Sequence, residues 1–181
     1  MPDPIVIVEY DPSWPAIFEQ LRQVYADCLG DCLQAIEHVG STSVPGLAAK
    51  PILDIDLVLR ATGDLAEVIR RLGTLGYTHV GDQGIAGREA FKRQDEGVPW
   101  GSPSGKIWMA HHLYAVTADS HELQSHLVFR EALRADPSLV KEYAALKQEL
   151  ALRFRDDREA YTLAKSDFIE AVLGQLQPAS L

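Results

Sequence analysis

The chain has 181 residues, 46% of them hydrophobic, with a net charge of −9. That composition supports a sizeable core without a structural metal or disulfide framework, and the acidic balance argues against general DNA or RNA binding, which needs surface Lys and Arg to neutralise phosphate. No stretch approaches the roughly 18 consecutive apolar residues of a membrane span, and the N-terminal run lacks the basic start of a signal peptide. The expectation is therefore a cytoplasmic protein with no membrane partner.

In chain order, Ile5-Val6-Ile7-Val8 is a short β-branched run ended by the turn signal Asp11-Pro12. From Ser13, the residues Trp14, Ile17, Phe18, Leu21, Val24, Tyr25 and Cys28 recur at helical spacing, with Pro15 tolerated in the first turn and Gly30 at the end. Cys28 and Cys32 read as two reduced, small apolar residues on one helical face. Leu33 to Val39 reads as a strand running into Gly40, Ser41 to Lys50 as a loop, and Ile52 to Leu59 as a buried strand. Asp64 is expected to cap a helix over Leu65–Leu75, closed by Gly76. Tyr77–Val80 and Glu89–Arg93 are expected strands, Trp100–Lys106 a loop containing Gly-Ser-Pro-Ser-Gly, and Ile107–Val116 another strand. From Ser120 the pattern is helical, with breaks at Asp136-Pro137 and around Asp156-Asp157. Interleaved strands and helices followed by helices alone predict an α/β (α+β) fold. We expect one domain over 1–181: a mixed β-sheet with flanking helices over about 1–118, then a C-terminal helical segment over about 119–181.

Two neighbouring features carry chemistry. Gly40-Ser41-Thr42-Ser43 follows a strand directly; glycine lets backbone approach a ligand, and successive N–H groups with three hydroxyls form an anion cradle. Asp54 and Asp56 lie two apart in the next strand and share one face. Adjacent carboxylates in an apolar strand need a compensating partner, and Mg²⁺ suits such hard oxygen ligands. Alternatively the two acids are solvated at an exposed strand end, or one pairs with Lys50 or Arg60.

A Gly-Ser turn after one strand, twelve further residues and then Asp-x-Asp in the next resembles the signature of the polymerase-beta-like nucleotidyltransferase superfamily. The run from His38 through Gly40-Ser41-Thr42-Ser43-Val44-Pro45-Gly46-Leu47, Lys50-Pro51 and Asp54 is also similar to the GrpB family. Its core is Gly-Ser-Thr-x-Val-Pro-Gly-Leu-x-x-Lys-Pro-x-x-Asp. Further matching segments are Arg88-x-x-Phe91-Lys92, His111-His112-Leu113-Tyr114, Phe129-Arg130-x-x-Leu133-Arg134, Tyr143-x-x-Leu146-Lys147 and Tyr161-x-x-x-Lys165-x-x-Phe168-Ile169. The likeness spans nearly the whole chain. It implies a nucleotidyltransferase-like fold, with Gly40, Ser41, Thr42 and Ser43 on nucleotide phosphates and Asp54 and Asp56 on Mg²⁺. The family also occurs fused behind dephospho-coenzyme A kinase, which implies a nucleotide or coenzyme A context.

Around this segment, Lys50 is placed to meet phosphate or neutralise the acids. Arg88 and Lys92, four apart, share a strand face and could converge on a polyphosphate. His112 shares a face with Tyr114, while His111 points the other way; His112 is a candidate catalytic base or ligand. The resemblance adds Arg130 and Lys165 as nucleotide-binding residues. One departure is that the strand expected to supply a third carboxylate, Lys106 to Val116, contains none, and His112 stands in that region.

The expected function is Mg²⁺-dependent nucleotidyl or phosphoryl transfer from a nucleoside triphosphate to a small acceptor. The alternatives are an inactive nucleotide- or coenzyme A-binding module of the same fold, and a metal-dependent hydrolase using His112 with the two acids.

Overall fold

The structure, a computed structural model, describes residues 4–101 and 105–176. The middle of the expected Gly-Ser-Pro-Ser-Gly loop, residues 102–104, lies outside the described residues, as do the ends of the expected sheet and helical portions at 1–3 and 177–181.

The elements in chain order are α1 (Trp14–Leu29), β1 (Leu33–Val39), β2 (Leu53–Leu59), α2 (Leu65–Thr74), β3 (Tyr77–Gly81), β4 (Arg88–Arg93), β5 (His111–Thr117), α3 (His121–Ala135), α4 (Pro137–Arg153) and α5 (Arg158–Leu176). The strands form one five-stranded sheet in the order β1-β2-β5-β4-β3. Only the central β2–β5 pair is parallel; the β1–β2, β4–β5 and β3–β4 pairs are antiparallel. The expected mixed sheet with flanking helices and a helical C-terminal part is what the chain forms. No helix among the described residues is long and apolar enough to cross a membrane.

Local chemistry explains the helix boundaries. Ser120 Oγ accepts the Leu123 N–H at the start of α3, and the Asp136 carboxylate accepts the N–H groups of Ser138 and Leu139, with Pro137 opening α4. The Asp157 carboxylate accepts the Ala160 N–H as α5 begins. Asp64 behaves differently from expectation: it stands just before α2, but its carboxylate accepts from Ala61 N–H behind it rather than capping α2 itself.

Two expected strands are shortened. Ile5–Val8 makes only one antiparallel bridge, Val8 to Ala49, because Ile5 turns away and packs with Leu150, Ala151 and Tyr161 of the C-terminal helices. The strand expected from Ile107 begins at His111; before it, the Trp108 N–H bonds to Glu96 O instead of a neighbouring strand.

Alternation along β2 divides the sheet into two faces. Leu53, Ile55, Leu57 and Leu59 enter the main core with Tyr25 and Leu29 of α1 and Val68 and Leu72 of α2. On the opposite face stand Asp54, Asp56 and Val58, and α3 covers only part of it, packing Leu123 on Val58 and Val116. The loop between β1 and β2 joins the C-terminal helices through a third apolar cluster of Val44, Leu47, Leu133 and Tyr143. That contact folds α4 and α5 back toward the Asp54 end of β2.

Candidate functional site

Gly40 turns the chain out of β1 with φ at 70°, a left-handed conformation that glycine adopts without strain. It also lies against the acidic strand: a Cβ here would stand 2.3 Å from Asp54 Oδ2. Residues Ser41–Ser43 follow as a single 3-10 turn. Of its three hydroxyls, two are used internally. Thr42 Oγ1 is 2.9 Å from His38 Nε2, and Ser43 Oγ donates to Gly40 O at 2.6 Å. Burial lowers the His38 pKa to about 4, outweighing the pull of Asp54, so this ring is neutral. Two arginines of α3 hold the turn from outside. Arg130 Nη1 donates to His38 O and to Glu37, and Arg134 donates to Ser43 O through both Nε and Nη2.

Ser41 is the hydroxyl that meets the cavity. Lys147 is 2% exposed, and its Nζ donates to Ser41 Oγ at 2.9 Å and to Ala48 O at 2.5 Å. The cavity, about 360 Å³, is walled by Ser41, Asp54, His112 and three lysines, Lys50, Lys147 and Lys165. Lys50 and Lys165 lie over the Tyr161 ring at 5.4 and 4.5 Å, and Lys147 lies 4.7 Å from the Tyr143 centroid. Aromatic faces therefore hold these ammonium groups in place. Among the described residues, no ion pair includes a lysine. Burial, reinforced by Lys165 and Lys50, lowers the Lys147 pKa to about 7. Burial and Lys50 lower that of Lys165 to about 8, with Asp54 pulling the other way. Lys50 is lowered by burial as well, again opposed by Asp54. Three crowded, half-dehydrated cations without carboxylate partners are what a polyanion would stabilise.

The two aspartates each carry a histidine. Asp54 Oδ1 accepts from His112 Nδ1 at 2.8 Å, and Asp56 Oδ2 from His126 Nδ1 at 2.7 Å; a carboxylate can only accept, so both Nδ1 atoms carry hydrogen. His112 stays half exposed, whereas Asp56 is fully buried beneath α3. His126 also faces Glu122, 3.4 Å from its Nε2. Burial pulls the His126 pKa down, but hydrogen bonds to Asp56 and Glu122 outweigh it and carry the group to about 10. Arg88 completes this cluster, bonded to Glu122 at 3.2 Å and laid over the Tyr114 ring at 4.6 Å. Neither pairing considered for the acids with Lys50 or Arg60 forms; Arg60 pairs with Asp64.

One oxygen of each aspartate is left over. Asp56 Oδ1 is buried without a hydrogen-bond partner, and Asp54 Oδ2 faces the Gly40 bend. An orphaned carboxylate oxygen beside a second one on the same strand face is a donor set that fits one hard cation. Among the described residues, no cluster of three or more His, Cys, Asp or Glu could hold a metal alone. A hard cation such as Mg²⁺, if held there, would have to complete its shell with ligands from outside these side chains.

Gly40, Ser41, Lys50, Asp54, Arg88, His112 and Lys165 all line the one cavity. Five expected residues are placed otherwise. Thr42 and Ser43 spend their hydroxyls on His38 and Gly40 O, and Arg130 commits Nη1 to Glu37 and His38 O and Nε to Glu131. Lys92 lines a separate recess over β4 and β5, because two residues along a strand carry a side chain about 7 Å and Lys92 stands four from Arg88. Asp56 lies behind His126 rather than at the cavity wall. Sequence reasoning missed Lys147, His126, Glu122 and Tyr161. The signals present were the i, i+4 spacing of Glu122 and His126 and a lysine on an otherwise apolar stripe of α4.

The family described as GrpB protein matches residues 4–175. The UPF0157 protein YqkA of Bacillus subtilis is 32% identical over 166 residues, covering 92% of this chain and 45% of YqkA, so the chain spans less than half of that relative. A dephospho-CoA kinase of Mycolicibacterium paratuberculosis is 26% identical over 180 residues, 90% of this chain and 43% of the kinase. Among solved structures, the crystal structure of conserved protein GrpB from Enterococcus faecalis aligns with a TM-score of 0.79 at 30% identity, covering 94% of this chain and 96% of that one. With its sheet order, its Gly-Ser bend and its matched length together, this chain belongs to the GrpB family.

Proposed function

We propose that the lysine-lined cavity binds the polyphosphate of a nucleoside triphosphate and that the site transfers a nucleotidyl or phosphoryl group to a small acceptor. The observation that carries this reading is the convergence of Lys50, Lys147 and Lys165, none in an ion pair among the described residues, on Ser41 opposite Asp54. Phosphate oxygens take hydrogen bonds from the lysines and from the bend, and the lysines offset charge on the transferred group. Asp54, at the cavity wall, would hold one Mg²⁺ with the unpartnered Oδ1 of Asp56 behind it, and that ion would supply electrostatic stabilisation of the phosphates when bound. Asp54 also fixes His112 through Nδ1, which leaves Nε2 free to take a proton from the acceptor.

A second reading, nucleotide or coenzyme A binding without turnover, is favoured by the absence, among the described residues, of a third carboxylate grouped with Asp54 and Asp56. Calorimetry with inorganic tripolyphosphate, followed by a Mg²⁺-dependent turnover panel of nucleoside triphosphates, separates the two. Lys147→Met should weaken tripolyphosphate binding by about tenfold to a hundredfold, the scale of a charge-assisted hydrogen bond. Asp54→Asn should abolish Mg²⁺-dependent turnover while tripolyphosphate still binds. Turnover undiminished in Asp54→Asn would sink the transfer reading, and tripolyphosphate binding unchanged in Lys147→Met would sink the phosphate site.

A further inference from the structure

The lysine-lined cavity does not end at the Gly40 bend. A second, smaller cavity of about 200 Å³ lies between α3, α4 and α5 and shares Gly40, Ser41, Asp54, His126 and Lys165 with the first. Its character is different. Phe129, Leu133, Tyr143 and Ile169 form its walls, and no lysine other than the shared Lys165 reaches it. Its aromatic rings are braced: Phe129 meets Tyr143 edge-on at 5.3 Å and 88°, and Tyr143 stacks on Phe168 at 5.0 Å and 12°. Beyond the shared residues, two polar groups interrupt the apolar lining, Ser125 and Arg130. Arg130 spends Nη1 and Nε on Glu37, His38 O and Glu131, and among the described residues its Nη2 donates to nothing.

A cavity with aromatic and aliphatic walls, a few polar groups and direct continuity with a cationic pocket suits a flat heteroaromatic ring attached to phosphates. We infer that the smaller cavity receives the base of the nucleotide whose phosphates occupy the lysine-lined one. The inference rests on the phosphate reading above and deepens it: Phe129 and Tyr143 contact the ring, Arg130 Nη2 and Ser125 Oγ meet its polar edge, and the Ser41–Asp54–Lys165 boundary spans the sugar and first phosphate. Phe129 is then a specificity residue with no part in phosphate binding.

Calorimetric titration of the full chain with inorganic tripolyphosphate, ATP and UTP tests this, one probe having no base and the others a purine and a pyrimidine. At least one nucleotide should bind about tenfold more tightly than tripolyphosphate, in keeping with the gain from stacking one base on aromatic side chains. Phe129→Ala removes the wall, and Ile169→Trp fills the cavity. Each should bring nucleotide affinity down to the tripolyphosphate level and leave tripolyphosphate affinity unchanged, which also reports that the variant is folded. Equal affinities in the unaltered chain, or a nucleotide preference that survives both substitutions, would overturn the inference while the phosphate site stood. If tripolyphosphate itself fails to bind, the phosphate reading falls and this one with it.

Discussion

The two faces of the central strands meet their polar groups in opposite ways. On the face toward α1 and α2, the buried polar groups form one closed chain. His111 Nδ1 donates to Met109 O at 2.9 Å, His111 Nε2 accepts from Tyr77 at 2.5 Å, and Tyr77 in turn accepts from Tyr25 at 2.6 Å. Burial lowers the His111 pKa to about 4 and so keeps the ring neutral within that chain. On the face toward α3 and α5, charges outnumber partners: the lysines have no ion pair among the described residues, and Asp56 Oδ1 has no hydrogen-bond partner. A satisfied polar network adds order to a core, whereas unmatched donors and acceptors beside a cavity are groups held ready for a ligand. The same strands therefore carry a closed polar network on one side and the proposed binding site on the other.

This contrast can be broken most directly through stability. Leu57→Ala, at a fully buried position of the closed face, should destabilise the fold by about 2–5 kcal/mol in denaturant unfolding. Tripolyphosphate affinity of the folded fraction should stay as it was. A cost below about 1 kcal/mol would mean that this face is not where stability resides.

A smaller effect, in pH, sharpens the contrast from the other side. Lys147 and Lys165 have folded pKa values lowered to about 7 and about 8, from an ordinary 10.5. Between those values and 10.5 the unfolded chain holds more protons than the folded one, so the lysines make stability rise with pH across that window and fall as pH drops toward 7. A bound polyphosphate favours the charged forms, so binding at pH 8.5 should take up protons. Calorimetry in buffers of different ionisation enthalpy should detect that uptake, and Lys147→Met should reduce it. An uptake identical in the variant would remove Lys147 from the binding event.

The smallest expected effect concerns Lys92. It belongs to the open recess over β4 and β5, so Lys92→Ala should leave tripolyphosphate affinity unchanged within about twofold, the level expected of a distant, solvated charge. A tenfold loss would extend the phosphate site across the sheet and erase the distinction drawn between Arg88 and Lys92.

Much of the fold was legible because its signals are local. Apolar spacing marked α1 and β2, Ser120 and Asp136 marked helix starts, and strand alternation put Asp54 and Asp56 on one face. The failures are also instructive. Ile5–Val8 has strand composition, yet its neighbours are the C-terminal helices and one residue of a loop, so no ladder forms. Thr42 and Ser43 look like anion ligands by type, but each hydroxyl is taken by the nearest competing partner, His38 Nε2 for one and Gly40 O for the other. Lys147 was visible in a family-like segment and on an otherwise apolar stripe of α4, six positions after Lys141, but nothing local says that the stripe would meet Ser41.

The order of strands and helices, the glycine bend and the shared face of two acids follow from the sequence itself, because each depends on residues within a turn or two of one another. Tertiary structure alone decided that Lys147 and Lys165, more than a hundred residues beyond Ser41, would meet it across one cavity, and that His126 would cover Asp56 while leaving Asp54 open. The physical reason is that burial, ion pairing and the fate of a lone carboxylate oxygen depend on which surfaces α3, α4 and α5 press against the sheet. Helical periodicity specifies that each of those helices has an apolar stripe and leaves open which surface the stripe will cover.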